Sequence, residues 1–117
     1  MHNVLVVDDE KVLSKLYEHE LVEEGYNVLI ANSGTEALRV AQDNQIDLMV
    51  LDIKMDDMDG LEVLNEFRRK HTDTPVILNS AYSIYKDDFS SWLADAYIVK
   101  SSDLAQLKEK ISELLKI

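Results

Sequence analysis

Asp47-Leu48-Met49-Val50-Leu51-Asp52 sets an unbroken apolar run directly ahead of a carboxylate. A run so short, with no polar alternation, reads as a β-strand over Asp47–Leu51 covered on both faces. Asn3–Val7 repeats the arrangement near the start of the chain, with β-branched residues leading into Asp8 and Asp9. Strands buried on both faces belong to parallel sheets, and parallel strands need crossover connections, usually helices. The rest of the chain supplies them.

Between the two runs, Lys11–Glu24 places Val12, Leu13, Leu16, Tyr17 and Leu21 on a helical stripe that ends at Gly25. Asn27–Ala31 reads as another strand, Asn32-Ser33-Gly34 as a turn, and Thr35–Asn44 as a helix with Ala37, Leu38 and Ala41 on one face. Beyond Asp52, Asp59 is a helix cap ahead of Leu61, Leu64 and Phe67. Thr74-Pro75 breaks the chain before a fourth strand at Val76–Asn79. A short helix is expected within Tyr85–Leu93 and a fifth strand at Ala96–Val99. A last helix begins near Asp103, its inner face formed by Leu104, Leu107, Ile111, Leu114 and Leu115.

Five strands alternating with five helices make a parallel sheet covered on both sides. Right-handed crossovers leave few topologies. At 117 residues the leading one is a flavodoxin-like (βα)5 three-layer sandwich with strand order 2-1-3-4-5. Such a fold places its site outside the carboxyl ends of strands one and three, where the strand order reverses.

Composition narrows the function. The net charge of −11 repels nucleic acid phosphates, and no basic stripe offsets it, so direct binding to nucleic acid is not expected. Without cysteine the chain has neither disulfides nor thiolate metal sites. The apolar runs are too short to span a membrane. Met1-His2-Asn3 lacks the basic region and apolar core of a signal peptide, so a cytoplasmic location is expected.

The site position predicted by the topology is acidic. Asp8 and Asp9 follow strand one, Asp52 follows strand three, and adjacent parallel strands bring all three together. Packed carboxylates raise one another's pKa values unless a cation neutralises them. Oxygen ligands favour a hard cation, and few ligands with room for water favour Mg²⁺, with Mn²⁺ as the alternative. A single Asp at a strand end is an ordinary cap; three on neighbouring ends form a cluster. Ser80 and Lys100 end strands four and five on the same edge, where a hydroxyl and an ammonium could meet phosphoryl oxygens.

These stretches resemble bacterial response-regulator receiver domains along the whole chain. The matching residues are Val4–Glu10, Gly34–Leu38, Asp47–Met55, Met58–Leu64, Pro75–Tyr82 and Ala94–Lys100. The resemblance implies one receiver domain over residues 1–117, not an enzyme acting on external substrates. It implies that Asp52 accepts a phosphoryl group from a histidine kinase or a histidine phosphotransfer protein. It further implies that Asp9, Asp52 and the backbone carbonyl of Lys54 hold Mg²⁺, with Asp8 acting through water. Ser80 and Lys100 would grip the phosphoryl oxygens. Ser80 would then move and let Tyr97 rotate inward, switching the surface of helix four, strand five and helix five.

The implied output is a downstream protein or a fused output domain, and the implied assembly is a monomer or a phosphorylation-dependent dimer. Lys54 and Tyr82 flank the path of hydrolytic water, as in the sporulation phosphorelay receiver, and imply a long-lived phosphoaspartate.

Departures from the family pattern mark where the chain differs. Asp56 and Asp57 replace the usual Pro and Gly, adding charge near the expected pocket. Leu93 replaces a Gly, and Ser101 replaces the Pro that usually follows the Lys across a cis bond. A cis bond before a non-proline residue costs about 3 kcal/mol, which puts the reach of Lys100 in question. Two other readings compete: a receiver-shaped binding module that signals without phosphorylation, and a haloacid-dehalogenase-like phosphatase. The latter wants a second Asp two residues after the first, where this chain has Lys54.

Overall fold

The apolar runs become five strands: β1 (Asn3–Val7), β2 (Asn27–Ala31), β3 (Leu48–Leu51), β4 (Val76–Ser80) and β5 (Ala96–Val99). They form one all-parallel sheet in the order β2-β1-β3-β4-β5. The structure is a computed structural model in which the backbone is described for residues 1–117. Every side chain is described except those of Asp87, Phe89 and Ser90. Four α-helices cover the sheet: α1 (Lys11–Glu23), α2 (Gly34–Asp43), α3 (Gly60–Lys70) and α4 (Ala105–Leu115).

Alternation along each strand sends side chains to two separate cores. Leu5, Val7, Met49, Leu51 and Leu78 face α2 and α3, where they meet Ala37, Val63, Leu64 and Phe67. Val4, Val6, Leu48, Val50 and Ile77 face the other way, onto Tyr17 and Leu21 of α1 and Leu107 and Ile111 of α4. Each fully buried Leu or Ile contributes about 2 kcal/mol of transfer free energy. A slip of one residue would exchange the two faces, so the register is firmly set. That register pairs Val7 with Leu51 and Ser80 with Val99, so Asp8 and Asp52 follow level strand ends, and Lys100 comes one residue beyond the partner of Ser80.

Caps fix the helix starts. Ser33 accepts from the Glu36 amide at 3.1 Å, and Glu36 reaches back to accept from the Asn32 amide at 2.7 Å. Asp59 accepts from the Leu61 and Glu62 amides at 2.8 and 3.1 Å, as expected of a cap. Arg68, Arg69 and Lys70 fall in the last turn of α3, where cations oppose the helix dipole favourably.

The sequence expectation needs correction at several points. The helix expected within Tyr85–Leu93 is two 3₁₀ segments, Ile84–Asp87 and Phe89–Leu93, which leaves four α-helices rather than five. The reason is local: Ser91 Oγ donates to the Tyr85 carbonyl at 2.6 Å, and amides bond three residues back, as in Asp88 to Tyr85 at 3.0 Å. On α1 the inner stripe is narrower than expected, since Val12 and Leu16 are 87% and 47% exposed while Tyr17 and Leu21 are buried. The last helix starts at Ala105, because Asp103 accepts from the Ala105 amide at 2.9 Å and stays outside it. β3 omits Asp47, whose carboxylate accepts from the Asn3 amide at 2.7 Å, and β4 extends to include Ser80.

Two glycines carry different constraints. Gly25 closes α1 at φ +97° with nothing near a hypothetical Cβ. Gly60 opens α3 hard against the backbone, where a Cβ would fall 2.0 Å from the Asp52 carbonyl oxygen. Gly25→Ala should therefore cost only the left-handed backbone preference, about 1 kcal/mol. Gly60→Ala should cost about 3 kcal/mol or more, because backbone must move. Denaturant midpoints of the two variants check the order; equal losses would contradict it.

Candidate functional site

β1 and β3 end side by side, tied by the Asp52 amide donating to the Val7 carbonyl at 3.0 Å. The acids that follow are therefore neighbours. Asp8 and Asp52 are 1% and 6% exposed, and Asp9 is partly exposed at the rim. One carboxylate oxygen from each of Asp8, Asp9 and Asp52 lies within 4.8 Å of the others. Lys100 enters from the end of β5 and places its ammonium 2.8 Å from Asp8 Oδ2 and 3.2 Å from Asp52 Oδ2. Every described peptide bond is trans, including the one before Ser101, and Lys100 reaches both acids.

The electrostatics follow from burial. Asp52 is pushed up to about 6, chiefly by desolvation and secondarily by the charge of Asp8. Lys100 and a 2.8 Å hydrogen bond from the Ile53 amide act in the opposite sense. For Lys100, burial opposes the charge, but the Asp8 hydrogen bond and the charges of Asp52 and Asp8 outweigh it and raise its pKa. A buried carboxylate with a pKa near neutrality is poised between protonation states, which suits a group that reacts.

Around this centre the other sequence candidates take these places. Ser80 is fully buried, and its Oγ accepts from the Tyr82 amide at 3.1 Å. Tyr97 is half-buried, and its hydroxyl donates to the Tyr82 carbonyl. Lys54 and Tyr82 are exposed beside the corner. Asp57 departs from expectation: its two oxygens accept from the Gly34 and Thr35 amides of α2 at 3.0 and 3.1 Å. Its charge is thus committed to a helix terminus rather than added to the pocket.

Sequence reading missed a buried polar pair, in which Asn79 Nδ2 donates to the Tyr17 hydroxyl at 3.0 Å across the α1 side of the sheet. The clue was an Asn inside an apolar strand. It also missed Arg68, which donates to the Leu93 and Thr74 carbonyls at 2.9 and 2.6 Å and pairs with Asp95 at 2.7 Å.

The donor set suits Mg²⁺. It offers hard oxygens only, three carboxylates on one corner and an open rim where water can complete a shell. Another acidic group among the described residues, His19 with Glu20 and Glu23, lies on the outer face of α1, and Lys108 already occupies Glu20 at 2.7 Å. A groove of about 320 Å³ between α2 and α3 shares no residue with the acidic corner.

Comparison with known proteins agrees with this geometry. Residues 4–112 match the response regulator receiver domain family. Response regulator ArlR of Staphylococcus epidermidis is 37% identical over 99% of this chain, which corresponds to 53% of ArlR. The chain thus spans about half the length of the curated relatives it matches. Response regulator TrrA of Thermotoga maritima, solved in complex with Mg²⁺–BeF, superposes with a TM-score of 0.95 at 47% identity, covering 97% of this chain and 99% of TrrA. TrrA in complex with the histidine kinase ThkA gives 0.93 at 48% identity, covering 98% and 99%. No helix among the described residues is long and apolar enough to cross a membrane. On its sequence and on its fold, the chain belongs to the response regulator receiver domains of two-component systems.

Proposed function

We propose that Asp52 accepts a phosphoryl group from the phosphohistidine of a sensor kinase or phosphotransfer protein, in a step dependent on Mg²⁺. The observation that carries this reading is the contact of Lys100 with two buried carboxylates, 2.8 Å from Asp8 and 3.2 Å from Asp52. Asp9, Asp52 and the Lys54 carbonyl would hold the metal, with Asp8 acting through water. Bound there, Mg²⁺ would neutralise charge on the acids and on the phosphoryl oxygens.

In the transfer an Asp52 oxygen forms the bond to phosphorus as the phosphorus–nitrogen bond breaks. The electron pair stays on the imidazole nitrogen. Lys100, already oriented, turns from carboxylate to phosphoryl oxygen. Little covalent chemistry falls to the protein, so positioning and charge dominate. Ser80, whose hydroxyl accepts from the Tyr82 amide, is drawn toward the new phosphoryl group. Tyr97 then turns inward, and the surface built from the 3₁₀ segments, β5 and α4 is biased to a second state. The similarity to a regulator solved with a histidine kinase supports the partner class. We place the reaction in the cytoplasm, with a fused output domain or a downstream protein reading the switched face, in a monomer or a phosphorylation-dependent dimer.

Intact mass after incubation with Mg²⁺ and phosphoramidate tests the chemistry. One added phosphoryl group is expected, absent with EDTA and in Asp52→Asn. No gain with several donors would leave a binding module that signals without phosphorylation. The decay of that mass reads the lifetime: Lys54 and Tyr82 are assigned to screening the water, so Lys54→Asn and Tyr82→Glu should shorten it. Unchanged decay removes that role.

Asp52 also predicts a pH signature. Its folded pKa, about 6, lies above the ordinary 3.8, so the native state binds the proton more tightly. As pH rises through that window, ionisation in the buried site costs stability. Metal-free Asp52→Asn should therefore exceed the unaltered protein in stability near pH 8, by up to about 3 kcal/mol. The gain should fade as pH drops toward about 4, and Mg²⁺ should shrink it at the higher pH. Denaturation midpoints across pH check this; a gain independent of pH would count against a strained Asp52.

A further inference from the structure

Asp57 lies on the loop from β3 to α3, between the residues assigned to the metal and the start of α3. Three contacts fix that loop. At its base, the Gly60 amide donates to the Ile53 carbonyl at 2.7 Å. Along its flank, Gly34 leaves room for Met58, since a Cβ there would fall 2.8 Å from Met58 Cβ and 2.9 Å from its carbonyl oxygen. At its tip, Asp57 bridges to α2 with Oδ1 on the Gly34 amide at 3.0 Å and Oδ2 on the Thr35 amide at 3.1 Å.

Amides in the first turn of a helix have no partner within it, and a carboxylate is their strongest acceptor. Hydrogen bonds from Thr35 and Gly34 hold the Asp57 carboxyl down at about 2, so the clamp stays charged at any ordinary pH. α2 already has its own cap in Ser33, which takes the Glu36 amide at 3.1 Å. Asp57 therefore adds a tie between two elements rather than a missing cap. Between base and tip lies Lys54.

We propose that Asp57 is a positioning residue for the metal site. By clamping the loop to α2 it sets the Lys54 carbonyl toward Mg²⁺, and it keeps its own charge out of the coordination shell. This rests on the Mg²⁺ reading given above. In this chain a polar clamp stands where the family usually has a flexible glycine.

Calorimetric titration with Mg²⁺, paired with amide hydrogen exchange in the metal-free protein, tests the assignment in the full chain. Asp57→Ala should weaken Mg²⁺ binding roughly tenfold, the scale seen when a residue that orients a metal ligand is lost. Exchange at Gly34 and Thr35 should rise with it. Asp57→Asn, which can still accept with its amide oxygen, should recover part of both effects. Ser33→Ala is the control: it removes a cap from α2 without touching the loop and should leave Mg²⁺ affinity unchanged.

Equal affinity in Asp57→Ala and the unaltered chain would overturn the proposal alone. So would an equal loss in Ser33→Ala. If Asp57→Asn binds as weakly as Asp57→Ala while Gly34 and Thr35 stay protected, Asp57 would be a ligand and the proposal falls. No Mg²⁺ binding by the unaltered chain would overturn both this proposal and the metal reading beneath it.

Discussion

A carboxylate removed from water must find a cation, a donor or a proton, and this molecule buries two of them side by side. The ammonium of Lys100 answers both, at 2.8 Å from Asp8 and 3.2 Å from Asp52. The acidic corner depends on this contact more than on any other. Without it, two uncompensated acids would face each other beneath the rim, and one would have to take up a proton. Even with it, Asp52 sits near 6 because desolvation outweighs the stabilising partners. The pocket is thus satisfied without being relaxed, and a further cation would be welcome there.

The sheet makes that contact available. Parallel pairing in register levels the ends of β1 and β3 and of β4 and β5, so residues far apart in sequence meet along one edge. Asp8 and Lys100 are joined only because the order β2-β1-β3-β4-β5 brings their strand ends to the same side. Gly60 adds a second constraint, since its bare Cα lets α3 begin directly against the backbone of Asp52. Asp52 is therefore held from below by the sheet, from one flank by Lys100 and from the other by the start of α3.

Much of this was legible in the chain because strands covered on both faces write themselves as continuous apolar runs. Val4–Val7 and Leu48–Leu51 admit little else, and the acids that follow them inherit their position from topology. Ser80 and Lys100 were readable for the same reason. What escaped was set by partners distant in sequence. Val12 and Leu16 share the helical spacing of Tyr17 and Leu21, yet stand outside the strip that the sheet covers. The 3₁₀ turns at Ile84–Leu93 arise where Ser91 captures a carbonyl, a competition that residue spacing does not display. Asp57 looked like surplus charge because its acceptor role needs α2, more than twenty residues earlier in the chain.

The connection from β4 to β5 differs from every other crossover in being built of 3₁₀ segments instead of an α-helix. Its described amides bond three residues back, and Ile84, Trp92 and Leu93 are 73%, 68% and 43% exposed. Arg68, reaching across from α3 to the Leu93 carbonyl, anchors its far end. Hydrogen bonds in a 3₁₀ turn have poorer geometry than those of an α-helix. β1 and β3, by contrast, send side chains into both cores. The molecule thus joins strands packed on both faces to a crossover of short turns, and Tyr97 on β5 ties the two by donating to the Tyr82 carbonyl.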